Sequence, residues 1–429
     1  MQSLKHILLQ KPILGWVLYD WANSAFATTI MAAVLPNYFS SYLAATISPA
    51  MASSVWAYGN TIAMLLIAIA SPVLGAIADY KGNKRHFLLF FLLLGTVSTA
   101  ALVVPGKGDW ALAIGIYILA FMGFAGSIVF YDALLPIIAP PKFMNAVSVV
   151  GYAVGYLGGG LLLALNLWMI LEPQAWGIAD SIQAIHWAFV SVALWWAVFS
   201  IPLFLWVKEP TTQITENISP IKVGFQRIVT TLRHIRQYRQ AFRFLIAFWL
   251  YSDGIGTIIK MAVIFGTEIG IGQTDLIGAI LLVQFVGIPL SLVYIRLAQQ
   301  FSTKRAIQVG LLGYSLITIG GFFIHEGWHF WLLAFLVGCV QGGTQALSRS
   351  LFGRLIPKEM SGEFFGFYDI SQKFAGILGP LVFGAVAQFT HNSRWGIVAL
   401  LFFFIGGIIL LNFVEEPREG TQVAPVTTG

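Results

Sequence analysis

The chain has 429 residues, of which 58% are hydrophobic and only 10% charged, and its mean hydropathy is +0.81. No water-soluble domain has enough interior to hide that much apolar surface, so soluble enzymes and nucleic-acid-binding modules are excluded and the net charge of +6 becomes a signal of topology. A single cysteine, Cys339, rules out a disulfide framework.

In chain order, residues 1–12 carry Lys5 and Lys11 ahead of a long apolar run. A cleaved leader is the competing reading there, but Asp20 and Asn23 interrupt its apolar core and no A-x-A site follows. Apolar runs of ~20 residues, the length that crosses a bilayer, then succeed one another to the end. The pattern predicts twelve helices, at 13–43, 53–79, 87–104, 111–138, 145–171, 184–207, 243–269, 275–299, 306–324, 329–356, 363–389 and 395–414. They divide into units at 1–207 and 243–414, joined by a polar linker at 208–242 and followed by a tail at 415–429. In the linker, Ile221, Phe225, Ile228, Val229, Leu232 and Ile235 recur at helical spacing, and Arg227, Arg233, Arg236 and Arg239 occupy much of the remaining surface. That is the pattern of a basic amphipathic helix suited to an anionic membrane surface.

The second helix ends in Gly75-Ala76-Ile77-Ala78-Asp79, and the chain turns through Gly82 into Lys84-Arg85. Moved along by 220 residues, the stretch recurs: Ala298, Lys304 and Arg305 fall on Ala78, Lys84 and Arg85, with Gln299 for Asp79 and Ser302 for Gly82. Leu119 to Met122 is echoed by Leu333 to Leu336, and Pro141-Lys142 with Met144 by Pro357-Lys358 with Met360. Echoes in one order at nearly one offset mean two copies of one membrane unit. Within helix 5, Gly151, Gly155 and Gly159 form a small-residue ridge that admits a second helix closely, and Gly376, Gly379-Pro380 and Gly384 mark a place where helix 11 can bend.

The G-x-x-x-D-x-x-G-x-K pattern of Gly75, Asp79, Gly82 and Lys84 resembles the signature between helices 2 and 3 of the major facilitator superfamily, which recurs in weakened form between helices 8 and 9. The resemblance implies an all-α integral membrane protein of twelve helices in two pseudo-symmetric six-helix bundles. Helix 1 from Gly15 to Thr29, with Trp16, Tyr19, Asp20, Trp21 and Asn23, resembles the opening of the vacuole effluxer branch of that superfamily. Phe130 to Pro136, Gln341 to Ser350 and Phe364 to Ser371 are similar to blocks on the bacterial side of the branch. That resemblance implies amino-acid efflux, and the short loops point to a bacterial inner membrane instead of a vacuole.

Charges inside a membrane are expensive and mark function by default. Here they are Asp20, Asp132, Asp253, Lys260, Arg349, Asp369 and Lys373. Trp249 to Asp253 on helix 7 repeats Trp16 to Asp20 on helix 1. In the superfamily helices 1, 4, 7 and 10 line the cavity. Asp20, Asp132, Asp253, Lys260 and Arg349, with Asn23, Gln341 and Gln345 as neutral partners, are therefore the candidates for substrate or coupling. Gly75, Asp79, Gly82, Lys84, Arg85, Asp369 and Lys373 are the candidates for gating. Two readings of Arg349 stand side by side: a donor fork for a substrate carboxylate, or a member of a salt-bridged gate with Asp20, Asp132 and Asp369. Lys260 pairs with Asp253 or reaches outward, and Asp369 with Lys373, four apart, can neutralise each other.

No histidine falls within a span, so proton coupling would run through a carboxylate, and sodium coupling would need several converging oxygens. His325-Glu326-Gly327-Trp328-His329 fits H-E-x-x-H literally, which raises an intramembrane zinc protease as an alternative, but the motif holds a glycine and falls in an outer turn. A receptor without transport and a carrier of another metabolite or drug are the remaining alternatives. The expected partners are a small solute, a coupled proton or sodium ion and the lipid bilayer. No enzyme activity, cofactor, metal or nucleic acid is called for, and a monomer is expected.

Orientation follows from the basic residues. Of the 24 Lys and Arg, 20 lie on or toward the face shared by both termini, Lys107 and Arg394 lie on the other, and Lys260 and Lys373 lie within helices. That asymmetry puts the termini in the cytoplasm. Reporter fusions after Gly108, Gln174, Gln273, Gly327 and Asn392 should report the outer side, and fusions after Gly82, Asn217 and Ser302 the inner side; one inverted loop breaks the twelve-helix topology.

Overall fold

The computed structural model describes residues 4–209, 224, 226, 228–231, 237–268, 270–374, 376 and 378–417. The first six passes are α1 (Lys11–Ala25, continuing through Leu43), α2 (Pro49–Lys81), α3 (Lys84–Ala101), α4 (Trp110–Ile138), α5 (Met144–Leu171) and α6 (Ser181–Trp206). The second six are α7 (Arg239–Glu268), α8 (Gln273–Gln300), α9 (Thr303–Phe322), α10 (Gly327–Leu355), α11 (Ser361–Phe374 with Leu378–Thr390) and α12 (Ser393–Ala399 with Leu401–Asn412). Both ends of the described chain and the α2–α3, α4–α5, α8–α9 and α10–α11 turns share one end of the bundle, called the basic end below.

Among the described residues nine helices are long and apolar enough to cross a bilayer by length and composition alone. The other three have physical reasons for falling short. In α1, Pro36 cannot donate a backbone bond, and the helix widens into π turns at Phe26–Val34 and Phe39–Leu43 on either side of it. Helices α3 and α9 each open on a Lys-Arg pair that dilutes the apolar run. Exposed large apolar side chains such as Phe90, Val97, Leu194, Leu316 and Phe402 stand on the outside, a surface suited to lipid.

Interior positions replace bulk with close approach. The α5 ridge meets α1: a Cβ on Gly155 would stand 2.7 Å from the Ser24 hydroxyl, and one on Gly159 3.0 Å from the Ser24 carbonyl. Thr28 also donates across this contact to the Gly159 carbonyl at 3.1 Å. Among the described residues α11 has two helical segments, and Pro380, near the start of the second, cannot donate a backbone bond. The two halves meet where α2 packs on α11 and where α5 packs on α8 and α10.

In the linker, the described residues 224, 226 and 228–231 are helical, Gly224 rests on Val73 and Ile77 of α2, and Thr231 is buried. This part therefore docks on protein. Ile221, Phe225, Leu232, Ile235, Arg227, Arg233 and Arg236 lie outside the described residues.

Gly155→Leu should destabilise the purified protein by about 1–3 kcal/mol through overpacking against α1. Gly115→Leu, at an exposed site with nothing within 4 Å of its would-be Cβ, should leave the melting temperature nearly unchanged. Equal losses at the two sites would show that the ridge is not a packing requirement.

Candidate functional site

The signature turn explains itself atom by atom. Gly82 ends α2 with φ of 60°, a left-handed conformation that favours glycine. Gly75 lets α11 touch the α2 backbone, since a Cβ there would lie 2.1 Å from the Gly362 carbonyl oxygen. Asp79 then accepts from the N–H groups of Gly362 (2.9 Å) and Glu363 (2.7 Å), the first turn of α11. A carboxylate at a helix N-terminus meets orphan donors and the positive end of the helix dipole. Lys84 pairs with the same carboxylate at 2.6 Å and is itself buried. Arg85 turns the other way and donates to the Phe204 carbonyl of α6.

The duplicated turn is held by neutral groups. Asn145 of α5 donates to the Thr303 hydroxyl at the start of α9 (2.9 Å) and accepts from Ser350 of α10. Between these seams, Asp369 of α11 accepts from Ser71 of α2 at 3.0 Å and pairs with Lys373 at 2.6 Å.

Arg349 lies at the centre, 2% exposed, on the face of α10 turned toward the first half. Its Nη1 donates to Asp132 Oδ1 of α4 at 3.1 Å and its Nη2 to Asp20 Oδ2 of α1 at 3.3 Å. Its Nε donates to the Ser148 hydroxyl of α5 at 2.9 Å, and Nη2 also to the Ser148 carbonyl at 3.0 Å. The guanidinium carbon stands 4.6 Å from the Trp16 ring centroid, 4.5 Å from that of Tyr152 and 5.4 Å from that of Tyr131, within cation–π range. Tyr131 donates to Asp20 Oδ2 at 2.7 Å, and the Trp16 indole to the Tyr131 carbonyl at 2.9 Å. These bonds occupy four of the five guanidinium N–H groups, so the fork is not open to a substrate carboxylate in this state. That sets aside one of the two readings of Arg349 for this conformation.

The remaining candidates are dispersed. Asn23 spends its amide on its own helix, donating to the Tyr19 carbonyl at 2.7 Å. Gln345 and Gln341 lie one and two turns before Arg349 and are half-buried. Asp253 is fully buried and accepts from Gly379 N–H at 2.9 Å, at the start of the second segment of α11. Lys260 lies in α7, its side chain outside the described ones. Glu326 and His329 exchange capping bonds at the start of α10, and His325 precedes that helix, so the H-E-x-x-H letters do not share a helical face.

Two glutamates were not singled out from the sequence. Glu209, just past α6, accepts from the N–H groups of Lys84 (2.8 Å) and Arg85 (2.5 Å) and so caps α3. Glu416, just past α12, accepts from the N–H groups of Thr303 (3.2 Å) and Lys304 (3.0 Å) and pairs with Arg354 at 2.8 Å, capping α9. The signal was there: Val207-Lys208-Glu209-Pro210 is echoed by Val414-Glu415-Glu416-Pro417. Burial pushes the Glu209 carboxyl above its ordinary 4.5, and the Arg85 and Lys84 donors offset this only in part. Burial acts on Glu416 in the same sense, but Arg354 and the Lys304 and Thr303 bonds outweigh it and hold that carboxyl below 4.5.

The model of the Atg22-like vacuole effluxer family matches residues 48–424 of the chain. The MFS-type transporter YxiO of Bacillus subtilis strain 168 is 39% identical over 404 residues, covering 94% of each chain. Autophagy-related protein 22 of Yarrowia lipolytica is 26% identical over 311 residues, which span 64% of this chain and 51% of that one. The crystal structure of the human organic anion transporter MFSD10 superposes with a TM-score of 0.72 at 14% identity, covering 96% of this chain and 100% of that one.

The two capping glutamates should titrate in opposite senses. Glu416, with its carboxyl depressed on folding, contributes stability above pH 4.5 that is lost as pH falls through the lowered value. Glu209, with its carboxyl raised, contributes most below 4.5 and loses that contribution as pH rises through the raised value. At pH 7 Glu416→Gln should therefore lower the melting temperature more than Glu209→Gln, and the Glu416→Gln deficit should shrink in acid. A larger deficit at Glu209 at pH 7 would refute this.

Proposed function

The chain belongs to the Atg22-like vacuole effluxer family of major facilitator transporters, and on that premise we propose that it exports amino acids by alternating access between its two halves. One observation carries the mechanism: a buried arginine of the second half, Arg349, holds Asp20 and Asp132 of the first. Removing one partner of a buried ion pair costs about 3–5 kcal/mol.

The lock belongs to a layered closure at the basic end. Asp79 on the α11 N-terminus forms its rim, Asp369 with Ser71 the next step, and Arg349 its floor. In this reading the halves are shut at the basic end, and the basic-residue asymmetry puts that end in the cytoplasm of a bacterial inner membrane. One arginine between two carboxylates leaves one surplus negative charge, which favours a proton, or a sodium ion, as the coupled species. A monomer suffices, since both halves of the lock lie on one chain.

Counterflow of labelled amino acids into proteoliposomes preloaded with the same amino acid tests the reading. The wild type should exchange at least one amino acid. Arg349→Lys should lose nearly as much flux as Arg349→Ala, because an ammonium cannot reproduce the planar fork. Asp79→Asn should reduce flux at unchanged expression, and Gln299→Ala should change it less. No exchange of any amino acid by the wild type would overturn the substrate assignment.

A further inference from the structure

Among the described residues, every group that hydrogen-bonds to the Arg349 guanidinium or sets a ring against it comes from the opposite half. Trp16 and Asp20 belong to α1, Tyr131 and Asp132 to α4, and Ser148 and Tyr152 to α5. The enclosure is also braced from within that half. The Tyr131 hydroxyl fixes Asp20, the Trp16 indole fixes the Tyr131 backbone, and the Trp16 and Tyr131 rings stack with centroids 4.4 Å apart. Gly151 keeps its wall flat, since a Cβ there would stand 2.8 Å from Asp20 Oδ2, 2.8 Å from the Trp16 ring and 3.3 Å from Arg349 Nη2. Without Arg349 the first half would hold two carboxylates and three aromatic faces converging on one point. That is a receptor for an organic cation, the arrangement that binds ammonium and guanidinium groups through ring quadrupoles and charge-assisted hydrogen bonds.

We propose that this box is the site for a cationic group of the transported solute, an ammonium or a guanidinium, and that Arg349 is its internal stand-in. The inference rests on the alternating-access reading above. When the halves part at the basic end, Arg349 leaves with the second half. Two neighbouring carboxylates in an apolar wall then repel one another until a cation arrives. The solute's cation and the Arg349 guanidinium compete for one volume. The box therefore loads while the halves are apart, and closing the basic end hands the carboxylates back to Arg349 and expels the solute's cation into the cavity between the halves. A sodium ion or a proton neutralises a carboxylate but leaves the three rings without a partner, so the rings select for an organic cation. The shared chemistry is the cationic head, supplied by the α-ammonium of any amino acid or the side chain of a basic one.

The test empties the box. In purified full-length Arg349→Ala, millimolar methylguanidinium or methylammonium should raise the melting temperature saturably, while sodium chloride and urea at equal concentration should not. The rise should vanish in Arg349→Ala combined with Asp132→Asn, and should be absent in the wild type, whose box is filled. Should Arg349→Ala fail to fold, wild-type counterflow decides. Glycine methyl ester, which keeps the ammonium, and methylguanidinium should each inhibit, and the more potent of the two identifies the source. N-acetylglycine, which has lost the cation, should be weaker than glycine by about tenfold or more, about 1.4 kcal/mol. Equal potency of N-acetylglycine and glycine, or an Arg349→Ala protein that responds to pH but to no organic cation, overturns the proposal. Binding of methylguanidinium by Arg349→Ala with no amino-acid flux in the wild type would keep the box and reject the substrate assignment. Flux with no cation binding would reject the box alone.

Discussion

A charge removed from water must find its counter-charge inside the protein, and the architecture near the basic end follows from that constraint acting on Arg349. A guanidinium with 2% exposure needs partners in its own plane, and none of those found here comes from its own half. Helix α5 must come close enough to lend the Ser148 hydroxyl and carbonyl, so its inner face is stripped to glycine at 151, 155 and 159. Helix α4 must present Tyr131 and Asp132 side by side, one to orient Asp20 and one to take Nη1. The aromatic rings of Trp16 and Tyr152 complete the cage around an ion that can make hydrogen bonds only at its edge.

The internal duplication makes the same elements solve different problems. Asp20 is followed four residues later by Ser24, packed on Gly155 of α5; Asp253 is followed four residues later by Thr257, packed on Gly379 of α11. In the first half α5 is continuous and satisfies its own backbone, so Asp20 is available to the other half. In the second half a segment of α11 starts at Leu378, and Asp253 supplies an acceptor to its Gly379 N–H.

Much of this was legible in one dimension, for reasons the structure makes plain. Periodicity and composition give the twelve passes because the bilayer imposes their length, and α1, α3 and α9 show where that signal thins. The signature turn could be read residue by residue because its demands are local: a left-handed turn at Gly82, close approach at Gly75, a carboxylate one turn from a helix end at Asp79. For Arg349 the gate reading offers Asp20, Asp132 and Asp369 as partners, but choosing among them and finding Ser148 needs coordinates, since Asp20, Asp132 and Ser148 lie 329, 217 and 201 residues away. Whether the fork is open to a substrate carboxylate in this conformation turns on hydrogen-bond inventory, which needs coordinates. Glu209 and Glu416 were overlooked because a carboxylate just outside a span reads as an ordinary solvated charge. Only the repeat of Val-x-Glu-Pro marks them as a pair.

The asymmetry between the duplicated turns bears on how closure would give way under alternating access. The α2–α11 seam sets a buried carboxylate against two backbone donors and a buried lysine, with glycines 75 and 362 locking backbone to backbone. Opening it exposes a charged pair and strips a helix N-terminus of its cap, at a cost of about 0.5–2 kcal/mol for the cap alone. Where α5 meets the start of α9 and the end of α10, the described bonds are those of Asn145 to Thr303 and Ser350, neutral groups that exchange their bonds for water at about 0.5–1.5 kcal/mol each. Thr303 also stays anchored within its own half, because Arg354 and Glu416 hold it there whether or not Asn145 is present. The neutral seam is therefore the one that separates without leaving an orphan behind. On α5, Asn145 is followed one turn later by Ser148, which bonds the Arg349 fork directly. Of the two seams the neutral one thus costs less to part, and the Asp79 seam between α2 and α11 costs more.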